Sequence, residues 1–191
     1  MKNNLKYLGL VLLLIAVIVF GALFSIDLKN MEEGKPVLFS TWGRKYSPVE
    51  EADEVEIKKV ISNYIISSNE KEKKYKNEKW FCSDRIYLIS KADDLYTAYA
   101  WICATSYISK SNGDLLENNN ISMPYRIELK KTDDTYEIID VIIPRDGSLY
   151  QEDLKLYFPE NVANDILKSD SDGTVDSLQM NIQNQVAEFY K

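Results

Sequence analysis

The sequence predicts a membrane-anchored α+β domain, and three observations carry that expectation. Tyr7–Ile26 is an apolar run of 20 residues without a charge. Residues 47–68 place apolar side chains at helical spacing, and residues 80–143 hold four segments rich in Thr, Tyr, Ile and Val between polar turns. The expected architecture is an N-terminal transmembrane helix, then a helix packed on a four-stranded antiparallel meander, then C-terminal helices. The expected boundaries are 1–26 for the anchor, 27–46 for a stalk with a short edge strand, and 47–191 for an extracytoplasmic domain.

A helix rises about 1.5 Å per residue, so 20 residues match a hydrocarbon core roughly 30 Å thick. Only a helix satisfies its own backbone there. Lys2 and Lys6 precede the run, whereas Asp27, Lys29, Glu32 and Glu33 follow it. The positive-inside bias puts the N-terminus in the cytoplasm and the domain outside, as a single-pass protein of the cell membrane. The competing reading is a cleaved signal peptide and a secreted domain. The run is longer than an h-region of about 7–15 residues, and Ala22-Leu23-Phe24 ends on a bulky residue, so the uncleaved anchor is preferred.

The chain carries a net charge of −7. Lys2, Lys6 and Lys29 against Asp27 give the first 30 residues +2, which leaves about −9 for the rest. That balance argues against nucleic acid as a partner. Histidine is absent. Its absence removes Ser-His-Asp and Cys-His catalysis and His-based metal sites. No Gly-rich phosphate loop is present. No cofactor and no metal is expected, and the domain reads as a non-enzymatic module.

In the stalk, Trp42, Arg44 and Tyr46 alternate and share one side of an extended chain. Trp42 and Arg44 are therefore candidate ligand- or partner-binding residues, set against aromatics that simply pack or sit at lipid headgroups. Ser47-Pro48-Val49-Glu50 reads as a capping box. Ile57, Val60, Ile61, Tyr64 and Ile65 form the apolar stripe of the helix that follows, which ends near Ser67-Ser68. Asn69–Lys79 is highly charged with nearly balanced signs and reads as a loop or a frayed helix end with a solvated face.

The strands are expected at Trp80–Ser90, Leu95–Lys110, Ile121–Lys131 and Tyr136–Ile143. Ser111–Asn120 is the longer loop between the second and third. Pro124 calls for an edge or a bulge. If opposed residues of the first hairpin sum to 185, Cys82 faces Cys103 within disulfide reach. The alternative is two packed free thiols. In the second hairpin Leu129 is expected opposite Ile138 and Tyr125 opposite Ile142, facing the core. Arg126, Glu128 and Lys130 then face a wet side. Ala98, Ala100 and Ala104 share a face on which the first helix can approach closely.

Ser148 with Gln151 reads as a second capping box, Phe158-Pro159 as a break, and Thr174 as the cap of a final helix carrying Val175, Leu178, Ile182, Val186 and Phe189. Asp170-Ser171-Asp172-Gly173 fails the calcium-loop pattern, since Lys168 and Gln179 fall where acids are needed, and reads as a capping turn. Arg145 and Asp146, in a turn at a strand end, are candidates for holding a ligand carboxylate or a partner's acid. The alternative is that they tie the turn to the C-terminal helices. An envelope enzyme using carboxylates would need Asp84, Asp140 and Asp146 to converge.

Lys35-Pro36-Val37, Ser40-Thr41-Trp42-Gly43-Arg44-Lys45-Tyr46 and Ile143-Pro144-Arg145-Asp146-Gly147-Ser148-Leu149-Tyr150 resemble a group of uncharacterised, membrane-anchored exported proteins of Gram-positive bacteria. The order of helix then meander is similar to cystatin-like and NTF2-like folds. Neither resemblance implies an activity. The functional expectation is an anchored interaction or sensing module that contacts another envelope protein or a small ligand.

Overall fold

The computed structural model describes residues 19–26, 49–133, 135–169 and 171–191. Residues 19–26 are helical. No helix among the described residues is long and apolar enough to cross a membrane. Most of the Tyr7–Ile26 run and all of the 27–46 stalk lie outside them.

The described residues form a mixed α+β unit built on a four-stranded antiparallel sheet. Helix α1 (Glu51–Lys71) is followed by β1 (Glu78–Ala92), β2 (Leu95–Ser109), β3 (Leu115–Thr132) and β4 (Thr135–Ile142), paired in sequence order. Then come a 3-10 turn (Gly147–Leu149), α2 (Tyr150–Tyr157), α3 (Glu160–Ile166) and α4 (Thr174–Phe189). Four strands with short connections can only form a meander, so every pair is antiparallel. Asp93 and Asp133 take left-handed φ values of 57° and 53° at the two tight turns, a conformation that Asp tolerates.

Two cores sit on the two faces of the sheet. Under α1, Ile57, Ile61 and Ile65 pack against Ala98, Ala100, Ile102, Ala104, Ile127 and Leu129. The isoleucines recur every four residues, so they form one stripe, and the alanines leave room for the helix backbone to come close. Burying each isoleucine contributes about 1.5–3 kcal/mol. On the opposite face, Phe81, Tyr99, Trp101 and Cys103 pack against Leu154, Phe158, Val162, Ile166, Leu178, Ile182 and Val186 of the C-terminal helices. The expected wet face is therefore covered by these helices over β1 and β2. β2 has helices on both sides, and its run from Tyr96 to Ser106 is buried throughout.

The Cys82–Cys103 bridge is not formed. Ala92 pairs with Leu95, and a bulge between Ile86 and Leu88 shifts the register by one, so Cys82 lies opposite Ala104 and Ser83 opposite Cys103. A one-residue slip moves a side chain to the other face. Cys82 lies beneath α1, Cys103 belongs to the opposite core, and both are free thiols.

The second hairpin pairs Leu129 with Ile138 as expected, but a bulge then brings Arg126, not Tyr125, opposite Ile142. β3 begins at Leu115, so half of the expected 111–120 loop is strand, and the connection is a tight turn in which Gly113 takes φ +87°. Pro124 pairs with Trp101 of β2 and precedes Arg126, the first β3 residue to pair with β4, so it lies where β3 has a neighbour on one side only.

Helix termini differ from the capping boxes read in the sequence. α1 starts at Glu51 and runs to Lys71; its cap residue Glu50 makes no side-chain cap bond. No side-chain cap bond is made at the start of α2 either. Phe158 and Pro159 do separate α2 from α3. For α4, Gly173 takes φ +80°, and the Thr174 N–H donates to Asp172 Oδ1 at 2.9 Å, so the capping oxygen comes from Asp172 rather than Thr174.

Candidate functional site

Arg145 and Asp84, two of the polar side chains singled out by the sequence, are occupied in holding the fold. Arg145 donates from Nε to Asp153 Oδ2 at 2.8 Å and from Nη2 to Oδ1 at 2.6 Å, and its backbone N–H adds a third bond at 2.9 Å. Asp153 is 1 % exposed. This bidentate pair fastens the turn after β4 to α2, which is the tethering role rather than a free ligand site. Asp146 lies exposed beside it and makes no side-chain cap bond to the 3-10 turn. Trp42 and Arg44 lie outside the described residues.

The carboxylates Asp84, Asp140 and Asp146 do not share a cleft. Asp84, on edge strand β1, accepts from Ser62 Oγ of α1 at 3.2 Å, and burial pushes its carboxyl up. Asp140 lies on the opposite edge strand β4, paired with Glu128 on the other face of the sheet. Three strand spacings separate the edges by about 14 Å. Asp146 is on the exposed turn beyond β4.

A different region contains polar groups that the fold leaves unmet. A cavity of about 410 Å³ opens between the C-terminal end of α1, the start of β1 and the start of β3, lined by Asn69, Lys73, Tyr75, Glu78, Trp80 and Asn118, among others. That volume falls in the range of about 300–1,000 Å³ found for small-molecule sites. Glu78 and Trp80 are only 3 % and 5 % exposed. They stand two apart on β1, so both side chains project to the α1 face, about 7 Å apart along the strand.

A bulge in β3 builds the floor. Ser106 pairs with Asn119 and Tyr107 with Glu117, which leaves Asn118 as the extra residue. In a regular strand Asn118 and Asn119 would point to opposite faces. The bulge re-aims them, and both amides donate to Glu78 Oε1, at 3.1 and 3.2 Å. Burial pushes the Glu78 carboxyl up, but the donors around it, Ser106, Asn118, Asn119 and the Tyr75 backbone, outweigh burial and hold it below its usual value. The group is therefore an anion at neutral pH.

Its other oxygen, Oε2, has no hydrogen-bond partner, and neither has the indole Nε1 of Trp80. The contrast with Trp101 is direct, since that indole donates to Ser122 Oγ at 3.0 Å. An unmet buried donor or acceptor costs about 1–3 kcal/mol, and folded proteins rarely keep one. Both residues line the cavity, while these two atoms are themselves closed off from solvent. No protein-family model, curated protein or solved structure matches the chain. The reading of this site therefore rests on its own chemistry.

Sequence reasoning passed over these residues for identifiable reasons. Glu78 belonged to a charge-balanced stretch that reads as solvated, and Asn118–Asn120 to a loop. The signal that was available is the triple Asn run directly before Ile121. Consecutive amides in an extended segment give donors on both faces, and such a run is poorly suited to a plain strand. Among the described residues no group of three or more acidic or thiol side chains is placed to hold a metal ion.

Proposed function

We propose that this chain is a membrane-anchored, extracytoplasmic sensing or interaction module whose domain takes up a small polar ligand. The observation that carries the reading is the cavity of about 410 Å³ beneath the end of α1, with Asn69, Lys73, Glu78 and Asn118 among the polar residues that line it. A binding site made of a few convergent polar groups in a pocket of this size is the general form of a small-molecule site. The uncharged Tyr7–Ile26 run and its flanking charges support the anchor and its sidedness. The order of α1 then meander, with α1 lying across one sheet face, supports kinship with cystatin-like and NTF2-like folds. The C-terminal helices on the second face are an addition to that plan.

The test has two arms on the full chain. In right-side-out cells stripped of their wall, external protease is expected to digest the domain, and full protection would refute the sidedness. In detergent, a screen of small polar solutes is expected to give a saturable rise in melting temperature that Lys73→Ala weakens. A screen in which no solute acts through the cavity lining would refute the ligand-binding role.

A further inference from the structure

We infer that the cavity beneath the end of α1 takes a neutral sugar, a pyranose ring bound through its hydroxyls. The inference rests on the small-ligand reading above and names the ligand class for the same site.

Amides are the commonest polar groups of the lining. Asn69 borders the cavity from the end of α1, and Asn118, Asn119 and Asn120 border it from the β3 bulge. Asn69 is half-buried and the other three are exposed. A primary amide carries two N–H donors and a carbonyl oxygen with two lone pairs. A sugar hydroxyl likewise both donates and accepts. A carboxylate only accepts and an ammonium only donates, so neither makes full use of an amide.

Three of these amides are held in place by the protein itself. Asn69 Nδ2 donates to the Ile65 carbonyl at 2.8 Å, one turn back along α1. Asn118 and Asn119 Nδ2 donate to Glu78 Oε1 at 3.1 and 3.2 Å. Each bond uses one N–H of its amide. The second N–H and the Oδ1 oxygen have no partner among the described residues, and the Asn120 amide has none at all there. The other oxygen of Glu78 is closed off from solvent, so a ligand meets the amides and not this carboxylate. Groups fixed in advance that still offer a donor and an acceptor lose little freedom on binding.

The charges agree with a neutral ligand. Glu72 and Glu78 offset Lys73 and Lys74, so the charged residues bordering the cavity sum to zero. Such a wall returns no net Coulomb energy to an ion that must shed its hydration to enter. Tyr75 also borders the cavity and is 50 % exposed. Its ring is a flat apolar surface for the C–H face of a pyranose, and its hydroxyl stays wet. A volume of about 410 Å³ holds one such ring with its hydroxyls.

The experiment uses the full chain in detergent, read by isothermal titration and by thermal shift. The probes are glucose, galactose, mannose and N-acetylglucosamine, each as the free sugar and as its methyl glycoside. At least one is expected to bind saturably; binding of the glycoside marks a glycan end as the source, and its exclusion marks a free sugar. Removing single hydroxyls from the tightest binder should weaken it about tenfold at one position or more, because a group of the site is then left unpaired. Asn69→Ala and Asn120→Ala should each weaken it by about the same factor. Tyr75→Ala should weaken it several-fold. Asn120 and Tyr75 are exposed, so their variants should keep the parent's melting temperature without ligand, which separates a lost site from a lost fold. Raising the salt concentration should change the affinity less than about twofold, since screening acts on charged ligands. Binding that falls steeply with salt, or that none of the three variants alters, would overturn the inference. If inorganic phosphate or free amino acids bind and no sugar does, the sugar is overturned while the small-ligand reading stands. If neither sugars nor charged solutes bind, both readings fall.

Discussion

Asp53 sits in the first turn of α1, where Lys131 Nζ donates to Oδ1 at 2.7 Å and the Tyr96 hydroxyl to Oδ2 at 3.0 Å. Those donors, Lys131 first and the nearby Tyr136 hydroxyl after it, hold its carboxyl down to about 2. Asp153, bound by Arg145, is likewise held at about 2. A carboxyl whose folded pKa lies below its unfolded value of about 3.9 stabilises the fold above that value. The contribution is lost as pH falls toward the folded pKa. Stability should therefore be steady from neutral pH to about 4 and decline between about 4 and 2. Urea unfolding midpoints measured across that window test this, and Asp53→Asn should flatten part of the decline while lowering the midpoint at pH 7. Glu78 gives a second prediction at this scale. Asn118→Ala or Asn119→Ala removes one of the donors that offset its burial, so its carboxyl should titrate at higher pH than in the parent. Carbon-detected NMR titration of the Glu78 side chain reads that shift, and an unmoved value would show that the two amides do not hold the carboxylate.

At the scale of elements, α1 is held by its isoleucine stripe on an alanine floor. Ile61→Ala should cost about 2–5 kcal/mol, since Ile61 is fully buried and the cavity left behind cannot collapse onto a rigid sheet. Ala100→Leu should cost about 1–3 kcal/mol by overpacking the same seam. Tyr64→Ala, on the same helix but 38 % exposed, should change stability far less. Chemical denaturation of the three variants separates these cases. The stripe was legible because a helix buried on one side must repeat its apolar residues every three or four positions, as Ile57, Ile61 and Ile65 do. The strand register was not. β2 is covered on both faces, so its sequence from Tyr96 to Ala104 lacks the alternation that would fix which residues face α1. Three bulges, at Tyr87, Asn118 and Ile139, each slip the pairing by one residue, and only the one at Asn118 has a local mark, the triple Asn run. The bulge at Asn118 also hid the candidate site, because it alone brings two adjacent amides onto one carboxylate.

For the whole molecule, the sheet acts as a partition. It keeps Cys82 in the core under α1 and Cys103 in the core under the C-terminal helices. Burial, with the charge of Asp84 adding to it, pushes the Cys82 thiol up to about 12, and burial raises Cys103 as well. Only the thiolate attacks a disulfide or an alkylating reagent, so both groups are slow nucleophiles as well as inaccessible ones. α4 is tied to edge strand β1 at the same residue, since Gln185 Nε2 donates to the Cys82 carbonyl at 2.9 Å. An extracytoplasmic domain would meet an oxidising compartment, where paired cysteines usually bridge. These two should stay reduced even there, because forming the bond would require a one-residue slip of β1 against β2 and with it the inversion of both cores. The chain isolated from membranes without reductant should take up no alkylating label while folded and two labels after denaturation. Dithiothreitol should leave its melting temperature unchanged. Recovery of a Cys82–Cys103 linked peptide, or a melting temperature that falls with reductant, would refute the register on which both faces of the domain depend.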